Sequence, residues 1–222
     1  MTSWRFNERP GSLSLPDFGL TPETQEELTE RIWTRLTMGD DDADDFVETE
    51  TGEWEDLSDD QLRQAFNELH RARLLQQAEW ADEQPRTNLD SAFEELTEAG
   101  IIARMNFTCC GTCGTAEIDE ERDESRHWRG YVFFHQQDTE TLVQEGYVYL
   151  NYGIFTPEDF DEDAYEKLSD EDKQAIYLAD HKAVIEDDVV PRLARHGLDV
   201  EWDGNHRTRI LLRNAQWYMP LA

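Results

Sequence analysis

Apolar residues recur at helical spacing through the first part of the chain. A helix is predicted over residues 22–38, because Thr21 can cap it, Pro22 suits the first helical position and Gly39 can end it. A second helix is predicted from residue 58 to about 82, where Ser58 opens a capping-box spacing. A third is predicted to end near residue 100. The first hundred residues therefore favour a helical layer.

After residue 100 the pattern changes from helical to mixed. Strands are predicted over residues 101–107, 129–135 and 147–152, with helices over 115–125 and 139–145. A long acidic helical region is predicted from Thr156 to about His196 in two pieces, the second capped by Ser169. Pro191 is expected to kink or break it. The chain then closes with a predicted hairpin around Asp203 and Gly204.

These elements predict an α+β fold, or an α/β fold, with N-terminal helices ahead of a mixed sheet of about five strands. Residues 1–20 contain proline and glycine without a sustained period, so they are expected to form a mobile leader. Residues 21–222 are predicted to form a single domain, with an acidic loop at 40–60.

The charge balance excludes some partners. The chain has 51 Asp and Glu residues against 20 Lys and Arg, a formal net charge of −31. Such a field repels phosphate backbones and anionic lipid headgroups, so we expect neither nucleic acid nor a membrane as partner. A cytoplasmic location is expected, because no targeting or spanning segment is evident and the cysteines are too tightly grouped for a disulfide framework.

The acidity is concentrated over residues 40–60, which contain twelve acidic residues and no basic one. Like charges in such a block repel one another and extend the chain. A basic protein that this segment binds, with the segment mimicking nucleic-acid charge, is one interpretation. The other is that the acidity serves solubility or reflects genome composition, without a partner.

The most specific chemistry lies in five positions that hold Cys109, Cys110 and Cys113. Cys110 and Cys113 form a C-x-x-C between a predicted strand and a predicted helix, whose N-terminus favours a thiolate. Three interpretations stay open: a dithiol that cycles to a disulfide, a soft-metal site, or reduced structural cysteines in a glycine-bearing turn.

Ligand counting weakens the metal interpretation without removing it. A closed zinc site needs four ligands, and the sequence has no second C-x-x-C. His127 has no partner histidine at zinc-finger spacing. Our first expectation is therefore that the protein has no cofactor. The alternative is a zinc ion bound by Cys110 and Cys113.

Topology indicates which residues join the cysteines. If strands 101–107 and 129–135 are joined by a parallel crossover, both end at the same edge of the sheet, where ligand crevices lie. The resulting candidate ligand-binding residues are Cys109, Cys110, Cys113, His135, Gln136, Asp138 and Glu140. The competing interpretations are that His135 is a hydrogen-bonded residue at the end of a strand and that Asp138 caps a helix.

Two motifs resemble those of a known family. Residues 107–114, of the form F-T-C-C-x-T-C-G, and the downstream H-Q-Q-D-T-E at 135–140 resemble an actinobacterial family of uncharacterised cytoplasmic proteins. The resemblance covers roughly Thr21 to Leu212. It implies a shared fold and source, and it transfers no catalytic residue.

Three functional classes follow. The first is a binding or interaction protein with a thiol-bearing pocket at a sheet edge. The second is a thiol-dependent redox or metal-assisted enzyme that uses Cys110 and Cys113, and the third is an acidic protein that binds a basic partner. Neither a P-loop nor a G-x-G-x-x-G occurs, and H-E-x-x-H and G-x-S-x-G are also absent, so the sequence leaves open whether the protein is an enzyme.

Overall fold

The structure is a computed structural model that describes residues 5–222 except 12, 55, 81, 84, 158 and 159, with only the backbone described at 162. The chain groups into two compact units, Met1–Arg86 with Trp217–Ala222, and Thr87–Gln216. The single domain expected over residues 21–222 stays a prediction, because two compact units can still unfold as one cooperative domain.

The first unit is built on helices α1 (Pro22–Met38), α2 (Ala43–Glu50) and α3 (Asp59–Glu79). The predicted limits of α1 are confirmed: the Thr21 side chain caps its start, and Gly39 ends it in a left-handed conformation with φ 95°. The predicted capping box of α3 is also present, between Ser58 and Gln61.

The inward faces of these helices form the core of the first unit. Its largest fully buried apolar side chains are Leu28, Ile32, Leu36, Phe46, Leu62, Phe66 and Leu69. Two side chains of the expected leader are also buried, Phe6 and Leu15, and Arg5–Asn7 form a 3-10 turn. The mobility of the leader stays a prediction, but these two residues anchor it to the unit.

The acidic loop predicted at 40–60 is wrong in its central part, which forms α2. The Asp42 carboxylate caps this helix by accepting the backbone N–H groups of Asp44 and Asp45. Phe46 and Val47 are buried on its inner face. Charge repulsion does not extend the segment, because acids favour a helix N-terminus and the two apolar residues contribute to the core.

The second unit carries the mixed sheet, which confirms the α+β class. Its strands lie in the order β1-β2-β3-β5-β4 and span Ile101–Arg104, Gly130–Phe133, Tyr147–Ile154, Asp199–Glu201 and Ile210–Arg213 as β1 to β5. β1 and β2 are parallel, and the other neighbours are antiparallel. The predicted parallel crossover is therefore confirmed.

The helices that flank the first three strands of this unit are α4 (Asn88–Glu98), α5 (Gly111–Glu117), α6 (Gln136–Glu145) and a short α7 (Glu162–Glu166). α5 begins four residues before the predicted start at Thr115 and is followed by a 3-10 turn, Ile118–Glu121. α6 begins three residues before the predicted start at Thr139. Cys110 occupies the N-cap position of α5 without a side-chain capping bond, whereas the His135 side chain caps α6.

The predicted acidic helical region is present in more pieces than expected. After α7, helix α8 (Asp170–His181) begins at the predicted Ser169 cap and continues into a π-helical segment, Lys182–Val189. α9 (Val190–Arg195) follows, with Pro191 in its first turn. Proline is tolerated in the first turn of a helix. The predicted break near Pro191 is therefore seen as a change from the π-helical segment to α9.

The predicted C-terminal hairpin is confirmed by the antiparallel pairing of β4 with β5, in which Glu201 lies opposite Leu211. Gly204 adopts φ 77° in the connecting turn. None of the helices in the described part of the chain combines the length and hydropathy that a membrane crossing requires.

Candidate functional site

The three cysteines form one cluster at the start of α5. Their Sγ atoms all lie within 4.8 Å of one another, and the Sγ atoms of Cys109 and Cys113 are 3.5 Å apart. All three are free cysteines; Cys109 is exposed, whereas Cys110 and Cys113 are partly buried. In the described part of the chain, no other group of three or more His, Cys, Asp or Glu side chains has metal-ligand spacing.

The turn between β1 and α5 holds the cluster in a strained backbone conformation. Asn106 and Thr108 adopt positive φ angles of 53° and 59°. A positive φ is rare for a β-branched residue such as Thr108 and costs about 1–3 kcal/mol. Hydrogen bonds hold both residues: the Thr108 hydroxyl donates to the Cys110 carbonyl, and the Asn106 side chain accepts from the Thr139 hydroxyl.

Two glycines let the cysteine turn pack closely on the sheet. A Cβ at Gly114 would lie 2.4 Å from the Phe133 ring. A Cβ at Gly111 would lie 3.5 Å from both His135 Cδ2 and Asn151 Oδ1. The expectation that the cysteine turn and His135 share one edge is therefore confirmed, and the Gln136 N–H donates to the Thr108 carbonyl across that edge at 3.1 Å.

His135 is buried and caps α6. Its Nδ1 accepts the backbone N–H of Asp138 at 3.3 Å, while Nε2 lies 3.0 Å from the Asp138 carboxylate, which also pairs with Arg209. Burial lowers the pKa of His135, the Asp138 charge opposes that shift, and the Arg209 charge adds to it. Both ring nitrogens therefore interact with Asp138, Nδ1 with its backbone N–H and Nε2 with its carboxylate.

The other candidate residues differ in how they relate to the cluster. Asp138 is buried behind His135, so its carboxylate serves the cap and the ion pair with Arg209. The Gln136 side chain is exposed, and Glu140 is partly buried further along α6. Neither Asp138 nor Glu140 belongs to the group of described residues with metal-ligand spacing. A ligand-binding role for these residues of α6 stays a prediction.

The three thiols differ in acidity. Hydrogen bonds from the Cys113 backbone N–H, the Cys113 thiol and the Thr112 backbone N–H lower the pKa of Cys110. Hydrogen bonds with the Cys109 and Cys110 sulfurs, together with their charges, raise the pKa of Cys113 to about 11. Cys110 therefore ionises before Cys113.

Sequence reasoning missed two residues beside the cluster. Asn151 lies opposite Phe133 in the antiparallel β2–β3 pair, and its buried Nδ2 has no hydrogen-bond partner within the described part of the chain. Arg209 pairs with the Asp138 carboxylate and donates to the Tyr149 carbonyl. Asn151 lies in β3 and Arg209 directly precedes β5, so only the antiparallel pairing of these later strands places them here.

Fold and site together define a mixed α+β protein with a three-thiol turn after the first of two parallel strands. The chain belongs to a family described as Domain of unknown function (DUF6891), whose model matches residues 21–219. No curated protein and no solved structure gives a significant match. The actinobacterial source expected from the motifs stays a prediction.

Proposed function

We propose that this protein binds a soft metal ion through Cys109, Cys110 and Cys113. The observation that carries the proposal is that all three Sγ atoms lie within 4.8 Å of one another. Thiolates about 2.3 Å from a tetrahedral zinc ion are about 3.8 Å apart, so the cluster has nearly the spacing that metal–sulfur bonds need. Only small side-chain rotations separate the thiols from a three-sulfur site.

The ligand set selects the class of ion. Three thiolates favour copper(I) and zinc over hard cations such as magnesium or calcium. His135 does not supply a fourth ligand in this arrangement, because its Nδ1 and Nε2 both interact with Asp138. A zinc ion would therefore take a fourth ligand from solvent or from a bound molecule, on the side of the exposed Cys109.

Metal loading of the full chain tests this proposal. The reduced protein is equilibrated anaerobically with zinc(II) or with copper(I), desalted, and measured for bound metal by elemental analysis. We expect one ion per chain in the wild type and at least about a tenfold weaker affinity in Cys110→Ser, because one of three sulfur ligands is removed. Thr112→Ser, which keeps every thiol, is the matched control.

Two outcomes would contradict the proposal. One is that neither ion stays bound to the wild type after desalting. The other is that Cys110→Ser and Cys113→Ser bind as much metal as the Thr112→Ser control. Circular dichroism of each variant shows whether a lost ion reflects a lost ligand or a lost fold.

A dithiol that cycles to a disulfide is a second candidate, favoured by the 3.5 Å separation of the Cys109 and Cys113 sulfurs. A low-molecular-weight disulfide would serve as oxidant: it accepts two electrons and leaves as two thiols, while Cys109 and Cys113 lose two protons and form one S–S bond. Mass spectrometry after oxidation tests it. Loss of two hydrogens, reversed by a reductant, would support this candidate, and unchanged mass would exclude it.

A further inference from the structure

A cavity of about 570 Å³ lies between the end of β3 and helix α8 in the second unit. Its volume falls within the range of about 300–1,000 Å³ that is typical of small-molecule sites. Its lining includes the aromatic residues Phe155, Tyr165 and Tyr177 and the charged residues Glu166, Lys173 and Asp180. None of the three cysteines lines it, so it is separate from the thiol cluster.

The walls of the cavity offer unusually exposed apolar surface. Ile176 and Tyr177 on α8 keep 40% and 38% of their surface accessible. Phe155, in contrast, is fixed from behind by the Tyr131 ring, with the ring centroids 5.5 Å apart. Exposed apolar side chains that line a concave surface mark ligand sites more often than single exposed residues do.

The lining of the cavity contains charged groups of both signs. Lys173 Nζ lies 5.3 Å from the centroid of the Tyr165 ring and donates to the Glu166 carbonyl. The protein's own ammonium therefore occupies a cation–π position within this cavity. Since Glu166 and Asp180 are acidic and Lys173 is basic, these lining side chains carry a net charge of −1, which one monovalent cation would neutralise.

We propose that this cavity binds a small organic amine, with its ammonium near Glu166 and Asp180 and an aromatic or branched apolar body against Phe155 and Tyr177. The aromatic walls supply apolar burial and cation–π attraction, and the carboxylates select the positive charge. A neutral ligand of the same shape would bury the same surface but would gain no charge attraction from the two carboxylates. This site is independent of metal binding at the cysteines.

Three probes of matched shape separate charge from shape. Phenethylamine is a cation at neutral pH, 2-phenylethanol is neutral and phenylacetate is an anion. Binding is measured by isothermal titration calorimetry of the full chain at physiological ionic strength. The salt screens weak attraction of the amine to the protein's overall negative charge. We expect saturable binding of one phenethylamine per chain, with the alcohol and the acid at least about tenfold weaker, a difference of about 1.4 kcal/mol.

Two variants change the site in opposite directions. The double variant Glu166→Gln, Asp180→Asn should weaken phenethylamine binding at least about tenfold, because both carboxylates are removed. Lys173→Met should strengthen it, because it removes a positive charge from the lining of the cavity and leaves the Tyr165 ring open to the ligand's ammonium. A gain of affinity cannot result from misfolding.

The matched control removes two exposed acids elsewhere in the second unit, Glu117→Gln and Glu120→Gln. It removes the same number of negative charges and should leave phenethylamine binding unchanged. The proposal is overturned if phenethylamine shows no saturable binding, if 2-phenylethanol binds as tightly, or if the control loses as much affinity as the double variant. Cys110→Ser should bind the amine like the wild type, which separates this test from that of the metal site.

Discussion

The Nδ1 atom of His135 accepts the backbone N–H of Asp138 at 3.3 Å, so an imidazole caps α6 in the position that serine or aspartate usually occupies. Asp138 returns the interaction, since its carboxylate accepts the His135 backbone N–H. His135, one of the candidate ligand-binding residues, is thus engaged in helix capping. Because it adjoins Gly111, it also supports the cysteine turn.

Replacing the cap separates its structural role from ligand binding. His135→Ala should lower the free energy of unfolding by about 1 kcal/mol, the usual cost of losing an N-cap. His135→Asn should recover most of this loss, because asparagine is among the best capping residues. Urea denaturation followed by circular dichroism measures both variants.

The matched control is Gln137→Ala, an exposed position in the same helix, which should leave stability within about 0.5 kcal/mol of the wild type. The capping role also predicts that His135→Asn keeps the metal stoichiometry of the wild type. Loss of the metal in a stably folded His135→Asn protein would instead make the imidazole a ligand and contradict the role argued here.

Sequence reasoning succeeded where local chemistry decides the structure. Thr21, Gly39 and Ser58 are strong helix signals, and each acts as predicted. The parallel crossover of β1 and β2 also followed from connection length, and it placed the cysteines beside His135. These features depend on residues near one another in sequence or on rules of strand order.

The features that the sequence did not reveal depend on tertiary context. The centre of the acidic segment 40–60 folds into α2 because Phe46 and Val47 are buried in the core of the first unit. The number of acidic residues in the segment gives no indication of this burial. Cys110 begins α5 without a side-chain cap, so no local signal marks that start. Asn151 comes beside the turn only through the register of a distant antiparallel strand.

The two glycines of the cysteine turn should respond differently to alanine. Gly114→Ala places a methyl group 2.4 Å from the Phe133 ring, which sits between the turn and the sheet, and should destabilise the protein by about 1–3 kcal/mol. Gly111→Ala meets its neighbours at ordinary contact distance of 3.5 Å and should be nearly neutral. Thermal melting of both variants checks this contrast. Equal melting temperatures would show that the turn does not pack on Phe133 as described.

Binding of a basic protein by residues 40–60 is better tested by substitutions than by deletion of the segment. Phe46 is fully buried in the first unit, so Phe46→Ala should cost about 3–5 kcal/mol, and removal of residues 40–60 should unfold that unit. The proposal of a basic protein partner is therefore tested by neutralising exposed acids, with Asp41→Asn and Glu48→Gln. A pulled-down basic protein should be lost from this variant, and an unchanged set of bound proteins would contradict the proposal.

A buried histidine should make stability depend on pH. His181 is buried among Tyr152, Tyr177, Trp202 and His206, and its Nε2 has no partner among the described residues. Burial lowers its pKa, the nearby His206 adds to that shift, and Glu186 opposes it.

The direction in which stability changes with pH follows from proton binding at His181. The unperturbed pKa of histidine is about 6.5. Below that pH, the unfolded chain binds a proton at His181 more readily than the folded chain does, so the free energy of unfolding falls as the pH falls. His181→Phe should flatten this dependence, whereas His127→Gln, at an exposed position, should not. His135 shifts in the same direction, so a residual slope is expected in His181→Phe. Unfolding free energies from urea titrations between mildly acidic and neutral pH measure the slopes, and identical slopes in wild type and His181→Phe would refute the assignment.

The last prediction concerns the order in which the thiols react. The thiolate is the nucleophile, and the pKa of Cys110 is lowered while that of Cys113 is raised to about 11. At neutral pH, iodoacetamide should therefore alkylate Cys110 well before Cys113 in the reduced, metal-free protein, which peptide mass spectrometry can follow over time. Exposure does not explain such a difference, because both residues are partly buried. Saturating zinc or copper(I) should slow alkylation of all three cysteines together, since metal-bound sulfur is a poorer nucleophile. If zinc and copper(I) leave the alkylation rates unchanged, the three sulfurs do not share an ion.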